Sequence, residues 1–370
     1  MPSPITNCYD PSEARPKLAG ERVRIYAPEQ DWTYSHHQSI AFFQGRFHAV
    51  WSNHRCNEDH PGQRVLWSSA AEFQHWDEPR PLFDSRAGDH SEVVLTAAGF
   101  HPHGGTLVAY AGQYEYSREA LATPRLTTAF NHQNDRLLAR TTTDGRTWGP
   151  ERDLALPIVP NHGPQPTASG RLIISGNISF PHSDDPSGLA GWRMAGIYPP
   201  DWPARDDSEA FWIVQKLQGW RTGLCEGSFY QTGDGVIHML LRSMEKRLWL
   251  TESRDDGATW SAPEPLEWSD CGSKFHFGRL PDGRFYCVSC PDRNDRRDPL
   301  VLQVSADGVR FDRHFILADE PYEMKRAGMH KGGLYGYPHT LLHGDYLYVI
   351  YSLRKEAVEV LRMPWKEIPC

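Results

Sequence analysis

One phrase recurs three times along the chain: TTTDGRTW at 141–148, ESRDDGATW at 252–260 and VSADGVRF at 304–311. Each copy sets Asp and Gly at a bend between apolar, strand-like runs, with an aromatic residue three positions beyond the glycine. An Asp-Gly bend flanked by alternating sequence is a strong local signal for a β-hairpin, because glycine reaches the positive-φ backbone that a tight turn demands. A hairpin that repeats implies a repeated supersecondary unit, and such units must stack to bury their apolar faces. The phrase therefore constrains the architecture before any single residue does.

Composition agrees with many short strands joined by tight turns. There are 13 Trp, 15 Tyr and 15 Phe, with 31 Gly and 29 Pro, and helical periodicity is scarce. The runs SIAFFQGRFHAVW, RLIISGNIS, VIHMLLRS and DYLYVIYSL are β-branched and aromatic, bounded by Gly or Asp. A length of 370 residues would allow two or three domains, yet no Gly/Ser- or Pro-rich linker divides the chain. The formal charge of −8 without a block of Lys or Arg argues against a nucleic-acid partner. No apolar run approaches the ~20 residues of a membrane span. The segment MPSPITNCYDPSEARPK has no apolar stretch of the secretory kind, so a cytoplasmic location is expected unless a signal was removed. Seven widely spaced Cys argue against a disulfide scaffold.

The repeated phrase resembles the Asp-box of the sialidase superfamily, S-x-D-x-G-x-x-W. Ser253, Asp255, Gly257 and Trp260 match it in full, while Thr142 and Phe311 replace the Ser and the Trp in the other two copies. The resemblance implies an all-β fold, a single β-propeller of four-stranded antiparallel blades over residues 1–370. It also implies that each box is a structural turn between the third and fourth strands of a blade. Phasing from the boxes gives six inner strands, opening near His36, His90, Asn161, Cys225, Lys274 and Tyr337. A seventh blade remains open if the 171–220 segment holds one. The stretch ERVRIYAP at 22–29 is expected to close the ring as the outer strand of the last blade.

The first residues of the inner strands should ring one mouth of the central channel, where a propeller holds its ligand. Sialidase chemistry needs three Arg around a carboxylate, a Tyr-Glu nucleophile pair and a loop Asp as acid. The F/Y-R-I-P motif that carries the first Arg is absent; the first inner strand begins SHHQSI, with His where that Arg would stand. Only the shell of a sialidase is then expected.

The stretches YSHHQSIAFFQGRFHAVWSNHRCNEDHPGQRVLWSS and KGGLYGYPHTLLHGDYLYVIYSLRKEAVEV resemble propeller enzymes that act on uronate-containing polysaccharides. These are the rhamnosyl-glucuronate lyases and, more distantly, the ulvan lyases. The resemblance implies a catalytic His37, with His36 as alternate, and a second polar group among Asn57, Asp59 and His60. In the lyases with two His in that blade the pair is about twenty residues apart; that offset from His37 lands on Asn57, a departure from the two-His pattern. A Tyr from the next blade, Tyr114 or Tyr116, joins them, one expected to pack and the other to face substrate. β-Elimination removes the proton on C5 of a uronate and expels the group on C4, so it needs a base, an acid and neutralisation of the carboxylate. Histidine suits the base role, with an unperturbed pKa of ~6.5. Arg118, Arg193 and Arg326 are the candidates for the carboxylate. His60, His162, Glu226, Lys274, His276, Tyr337 and His339 are candidate substrate contacts. The leading expectation is a lyase that cuts a rhamnose–glucuronate type of linkage. A hydrolase pairing Glu226 with Asp59 and a non-catalytic glycan-binding propeller are the rivals. No cofactor is required; a bound Ca²⁺ or Zn²⁺ is an option, without assigned ligands. The expected partner is an oligo- or polysaccharide, and the expected state a monomer or weak homo-oligomer.

Overall fold

The three Asp-Gly turns close through one shared hydrogen-bond pattern. Asp144 Oδ1 accepts from Thr142 Oγ1 at 2.9 Å and from the Arg146 and Thr147 amides at 2.8 Å, while Thr142 Oγ1 accepts from Gly145 N at 3.0 Å. Asp255 accepts from Ser253 Oγ (2.9 Å) and Thr259 N (2.8 Å), and Ser253 Oγ accepts from Gly257 N at 2.8 Å. Asp307 and Ser305 repeat the set with Val309 and Gly308. The three glycines have φ of 67°, 85° and 81°, a region that costs side chains with a Cβ. Each box thus spends a carboxylate and a hydroxyl on satisfying turn amides. The Asp-boxes are scaffold.

In the computed structural model, residues 5–123, 132–199, 201–202, 208–219 and 222–369 are described. Their strands form six antiparallel sheets in chain order. Blade 1 holds Tyr34–Phe43, Arg46–His54, Arg64–Ala70 and Arg80–Phe83. Blade 2 holds Val94–His103, Thr106–Tyr116, His132–Thr142 and Arg152–Asp153. Blade 4 holds Cys225–Gln231, Ile237–Arg242, Arg247–Ser253 and Glu264–Ser269. Blade 5 holds His276–Arg279, Phe285–Ser289, Leu300–Ser305 and Arg313–Ala318. Blade 6 runs inward from Ala357–Pro364 through Tyr346–Leu353 to Tyr335–His343, and Glu21–Tyr26 supplies its outer strand. The strand expected at 22–29 therefore closes the ring from the N-terminal side. The boxes lie between third and fourth strands of blades 2, 4 and 5, as their resemblance implies.

Blade 3 departs from the four-stranded expectation. It has three two-residue strands, Gln165–Pro166, Leu172–Ile173 and His182–Ser183, and an isolated antiparallel bridge from His182 to Arg193 marks the outer edge. Pro164, Pro166 and Pro181 lack amide donors, which shortens the ladders. No further sheet lies among the described residues of 171–220; that segment contributes the helix Ser208–Leu217 instead.

The core is divided among the clefts between neighbouring blades. Ile40, Trp51 and Leu66 of blade 1 pack on Tyr348, Ile350, Val358 and Val360 of blade 6. Val50 and Val65 meet Leu95, Ala97 and Ala109 of blade 2. Ala98 and Tyr110 meet Ile174, and Ile173 meets Phe229 and Met239. Blades 4 and 5 join through Leu240, Trp268 and Phe277, blades 5 and 6 through Val288, Leu302, Val349 and Tyr351. Every blade is thus held on two faces, which is how alternating strands that cannot bury a face alone become stable.

Candidate active site

The inner strands of blades 1, 4 and 6 each begin with a β-bulge, where the register shifts between His36 and Ser39, Cys225 and Ser228, and Gly336 and His339. At each bulge one residue adopts positive φ: His37 (56°), Glu226 (52°) and Tyr337 (50°). A bulge breaks the in–out alternation and re-aims a side chain. A non-glycine residue held there pays strain that only its surroundings can sustain. Asp59 (51°), Arg297 (53°) and Lys355 (53°) share this backbone, and their charges act on the same cluster. Strain is concentrated on one set of polar side chains.

At the centre, the Tyr337 hydroxyl donates to Glu226 Oε1 at 2.5 Å. Burial holds the Tyr337 phenol well above its usual range, with Arg242 opposing and Glu226 adding to that effect. Arg242 Nε lies 2.8 Å from Glu226 Oε2. The cations of Arg242, Arg297, Lys274 and Lys355 stand 5.9, 5.6, 5.5 and 6.0 Å from the Tyr337 ring centroid. Two of them face carboxylates, Arg242 with Glu226 and Lys355 with Glu58, and Lys274 Nζ donates to Asn161 O. Arg297 makes a 3.5 Å contact to Gly272 O, and its buried Nη1 has no hydrogen-bond partner. A buried guanidinium nitrogen left unpaired is costly, and an arriving anion would satisfy it.

Asp59 supplies the opposite chemistry. Burial, and then the neighbouring Glu58 charge, push its carboxyl up to about 7, so it is protonated below that pH. Its backbone is fixed by Gln63 Oε1 accepting from its amide at 2.9 Å and by the Tyr116 hydroxyl donating to its carbonyl at 2.8 Å. Glu58 is held below its usual value: burial opposes this most, but Lys355, by charge and hydrogen bond, together with His37 and Arg297 outweighs it. One carboxyl kept protonated beside one kept charged is the pattern of separated acid and base roles.

The two histidines, His36 and His37, are held neutral by burial. Burial drives His37 down to about 3 and His36 well below its usual value. His36 Nδ1 lies 2.8 Å from Ser352 Oγ, and His37 Nδ1 lies 3.1 Å from Ser52 Oγ. Their rings sit 3.9 and 5.2 Å from that of Tyr337. His36, His37 and Glu58 lie close enough to hold a cation, but Glu58 is committed to Lys355, and Lys274 and Arg297 add repulsion.

Other sequence-based candidates have different surroundings. Asn57 Oδ1 accepts from the Met329 amide at 2.9 Å, so it ties the 326–331 segment down instead of facing the cluster. Tyr114 and Tyr116 are both buried, 1% and 0% exposed, with rings 5.6 Å apart. Residues two apart in a strand share a face, which removes the expected split. Tyr114 stacks on His132 at 3.8 Å and its hydroxyl faces Asp59. Arg118, Arg193 and Arg326 are exposed, outside the buried cluster. His60 packs near His54, 5.3 Å between rings. His162, His276 and His339 form a separate group with Lys274 beside them. Sequence reasoning did not find Arg242, Arg297, Glu58 or Lys355. Arg242 was accessible through hairpin register, since it pairs with Cys225 beside Glu226. Arg297 is one of several Arg in DRNDRRDP, and nothing local selects it.

A ring of antiparallel blades with polar residues on strained inner-strand heads defines a β-propeller. Residues 45–349 match the BNR repeat-like domain, and the chain belongs to that family. No curated protein sequence matches it. Among solved structures it is similar to a sialidase, with a TM-score of 0.67 at 16% identity over 98% of this chain; the chain spans 35% of that protein's length. The intramolecular trans-sialidase of Ruminococcus gnavus, in complex with oseltamivir carboxylate, gives 0.65 at 12% identity over 94% of this chain and 98% of its own. Trypanosoma rangeli sialidase in complex with sialic acid gives 0.61 at 14% identity over 95% and 60%. At these identities the likeness is one of fold.

Proposed function

We propose that this protein is a glycoside hydrolase or transglycosylase acting on a sugar that bears a carboxylate, with a tyrosine nucleophile. The observation that carries the reading is the 2.5 Å contact between the Tyr337 hydroxyl and Glu226. A phenol held protonated by burial needs a base to become a nucleophile, and Glu226 is in place to take its proton. A neutral nucleophile is also not repelled by a substrate carboxylate, the circumstance in which glycosidases use Tyr in place of Asp or Glu. In this reading Arg297 and Arg242 receive the carboxylate, and Lys355 and Lys274 strengthen the field. Asp59 protonates the leaving oxygen and then, ionised, activates the water or acceptor hydroxyl. The pairing of Glu226 with Asp59 as two direct carboxylate catalysts gives way, because Tyr337 stands on Glu226.

Neutral His36 and His37 occupy the wall where a first Arg would complete a sialidase grip. The substrate is accordingly an acidic sugar whose carboxylate is held by two guanidiniums, distinct in shape from the usual three-Arg ligand. The uronate-lyase reading keeps one supporting observation, the packing of both His rings on Tyr337. Their neutral state suits a base, but their carboxylate neighbour Glu58 lies 3.7 Å from His36 Nε2, farther than the 2.5 Å between Glu226 and Tyr337.

The test is a panel of chromogenic acidic-sugar glycosides and uronate oligosaccharides. Release of a reducing sugar without ultraviolet absorbance of an unsaturated uronate is expected, as is a glycosyl adduct on the Tyr337 peptide with a slow fluorinated substrate. Unsaturated product, or turnover undiminished in Tyr337→Phe, refutes the hydrolase.

A further inference from the structure

We infer that His162, His276 and His339 form a binding site for a borderline transition-metal ion such as Zn²⁺, deeper in the channel than the Tyr337–Glu226 pair. The three come from the inner edges of blades 3, 5 and 6, and one nitrogen from each lies within 4.8 Å of the others. Ring centroids are 4.9 Å apart for His162–His276, 4.3 Å for His276–His339 and 5.8 Å for His162–His339. His276 follows Lys274 by two residues and His339 follows Tyr337 by two, on strands that run down the channel. The group is thus adjacent to the funnel but separate from its reacting atoms.

The hydrogen bonds prepare the lone pairs. His162 Nε2 lies 3.1 Å from Phe275 O, so that nitrogen carries the proton and Nδ1 presents its lone pair. That Nδ1 is buried and has no hydrogen-bond partner, in a residue only 2% exposed. His276 Nδ1 is anchored at 2.7 Å to Thr340 Oγ1, itself 2.8 Å from the Tyr286 hydroxyl. Its Nε2 accepts from the Gln165 amide nitrogen at 3.1 Å, a bond that Gln165, whose Oε1 has no partner of its own, would give up to an ion. His339 Nδ1 has a long 3.5 Å contact from Ile40 N, which leaves Nε2 for a ligand. Two of the three rings are therefore oriented by an outer hydrogen bond on the nitrogen opposite the site, the arrangement that fixes metal-binding imidazoles.

The donor set selects the ion. Three neutral imidazoles without a carboxylate suit Zn²⁺, Co²⁺, Ni²⁺ or Cu²⁺, whereas Ca²⁺ and Mg²⁺ require oxygen ligands. Zn–N bonds of about 2.0–2.1 Å place tetrahedral ligand atoms about 3.3 Å apart, so the rings close inward by about 1 Å on binding. Lys274 is the basic neighbour. An ion joined to blades 3, 5 and 6 would clamp the blade whose ladders are shortest against two regular ones.

The experiment uses the full chain, stripped with chelator and titrated with Zn²⁺ or Co²⁺ without any substrate. Expected are one ion per chain by calorimetry, a rise in thermal midpoint with added zinc, and visible absorption bands of tetrahedral Co²⁺. His162→Ala and His339→Ala should each weaken binding by about a hundredfold or more, whereas His36→Ala should bind as the parent does. If His162→Ala does not fold, the half-buried His339→Ala decides. Failure of the parent to bind stoichiometrically, or binding retained in a folded His339→Ala, overturns the site. Neither result bears on the glycosidase reading, which is tested by product and adduct.

Discussion

Asp59→Asn should make the protein less active and, above about pH 4, more stable. In the folded chain the carboxyl is pushed up to about 7, first by burial and then by Glu58, against an ordinary value of 3.8. Below about pH 4 the group is protonated whether the chain is folded or not, and the substitution has no electrostatic effect. Between about 4 and 7 the folded state binds the proton that the unfolded state releases, so wild-type stability falls as pH rises. Above about 7 the penalty is complete. At 1.36 kcal/mol per tenfold change in proton affinity, the interval from 3.8 to about 7 amounts to a ceiling of about 4 kcal/mol. Asn keeps the shape and carries no charge to penalise. Urea denaturation followed by tryptophan fluorescence, run for both proteins from about pH 4 to about pH 8.5, should show the Asn variant gaining stability progressively across this range. A difference that stays flat with pH, or a variant less stable than wild type at pH 8.5, would refute the assignment of a buried protonated acid. Activity should fall with the loss of the proton donor, and wild-type turnover should itself decline above about pH 7.

Tyr337→Phe should lower kcat by on the order of 10³-fold or more with the fold intact, and Glu226→Gln should behave alike because the two act as one unit, checked by a double-mutant comparison of kcat. Arg297→Ala removes a charge-assisted contact worth about 1.5–3 kcal/mol, so kcat/KM should fall by roughly 10–150-fold for an acidic sugar and little for its amide. Gly257→Ala puts a Cβ 2.5 Å from Ile173 Cδ1 at φ +85°; a loss of about 1–3 kcal/mol by urea denaturation, with activity per folded molecule unchanged, is the expected result. Trp51→Ala empties a fully buried site between blades 1 and 6 and should cost about 3–5 kcal/mol by the same assay.

The sequence carried the fold because each signal for it is local. The Asp-Gly turns, the alternating strands and the run at 22–29 are read within a few residues, and backbone hydrogen bonding enforces them wherever they occur. Those signals were enough for six blades and for closure by Glu21–Tyr26. They failed in blade 3, where prolines cut the ladders short. Much of the site was also on the page: Glu226, Tyr337, Lys274, His36 and His37 were located as the heads of inner strands.

Their roles were not, because roles depend on partners far away in the chain. Tyr337 meets Glu226 across 111 positions, and Lys355 meets Glu58 across 297. Position alone made His37 a base; burial adds that its ring is held neutral, beside Tyr337. Position alone made Glu226 a sugar contact or a direct catalyst; the bulges that turn it and Tyr337 toward one another make it the partner of a phenol. The proton on Asp59 depends likewise on burial and on the Glu58 charge. The sequence determined which backbone would form, since that is settled by near neighbours. Only the closed ring decided which charges would face each other in a site poor in water, and that decides the chemistry.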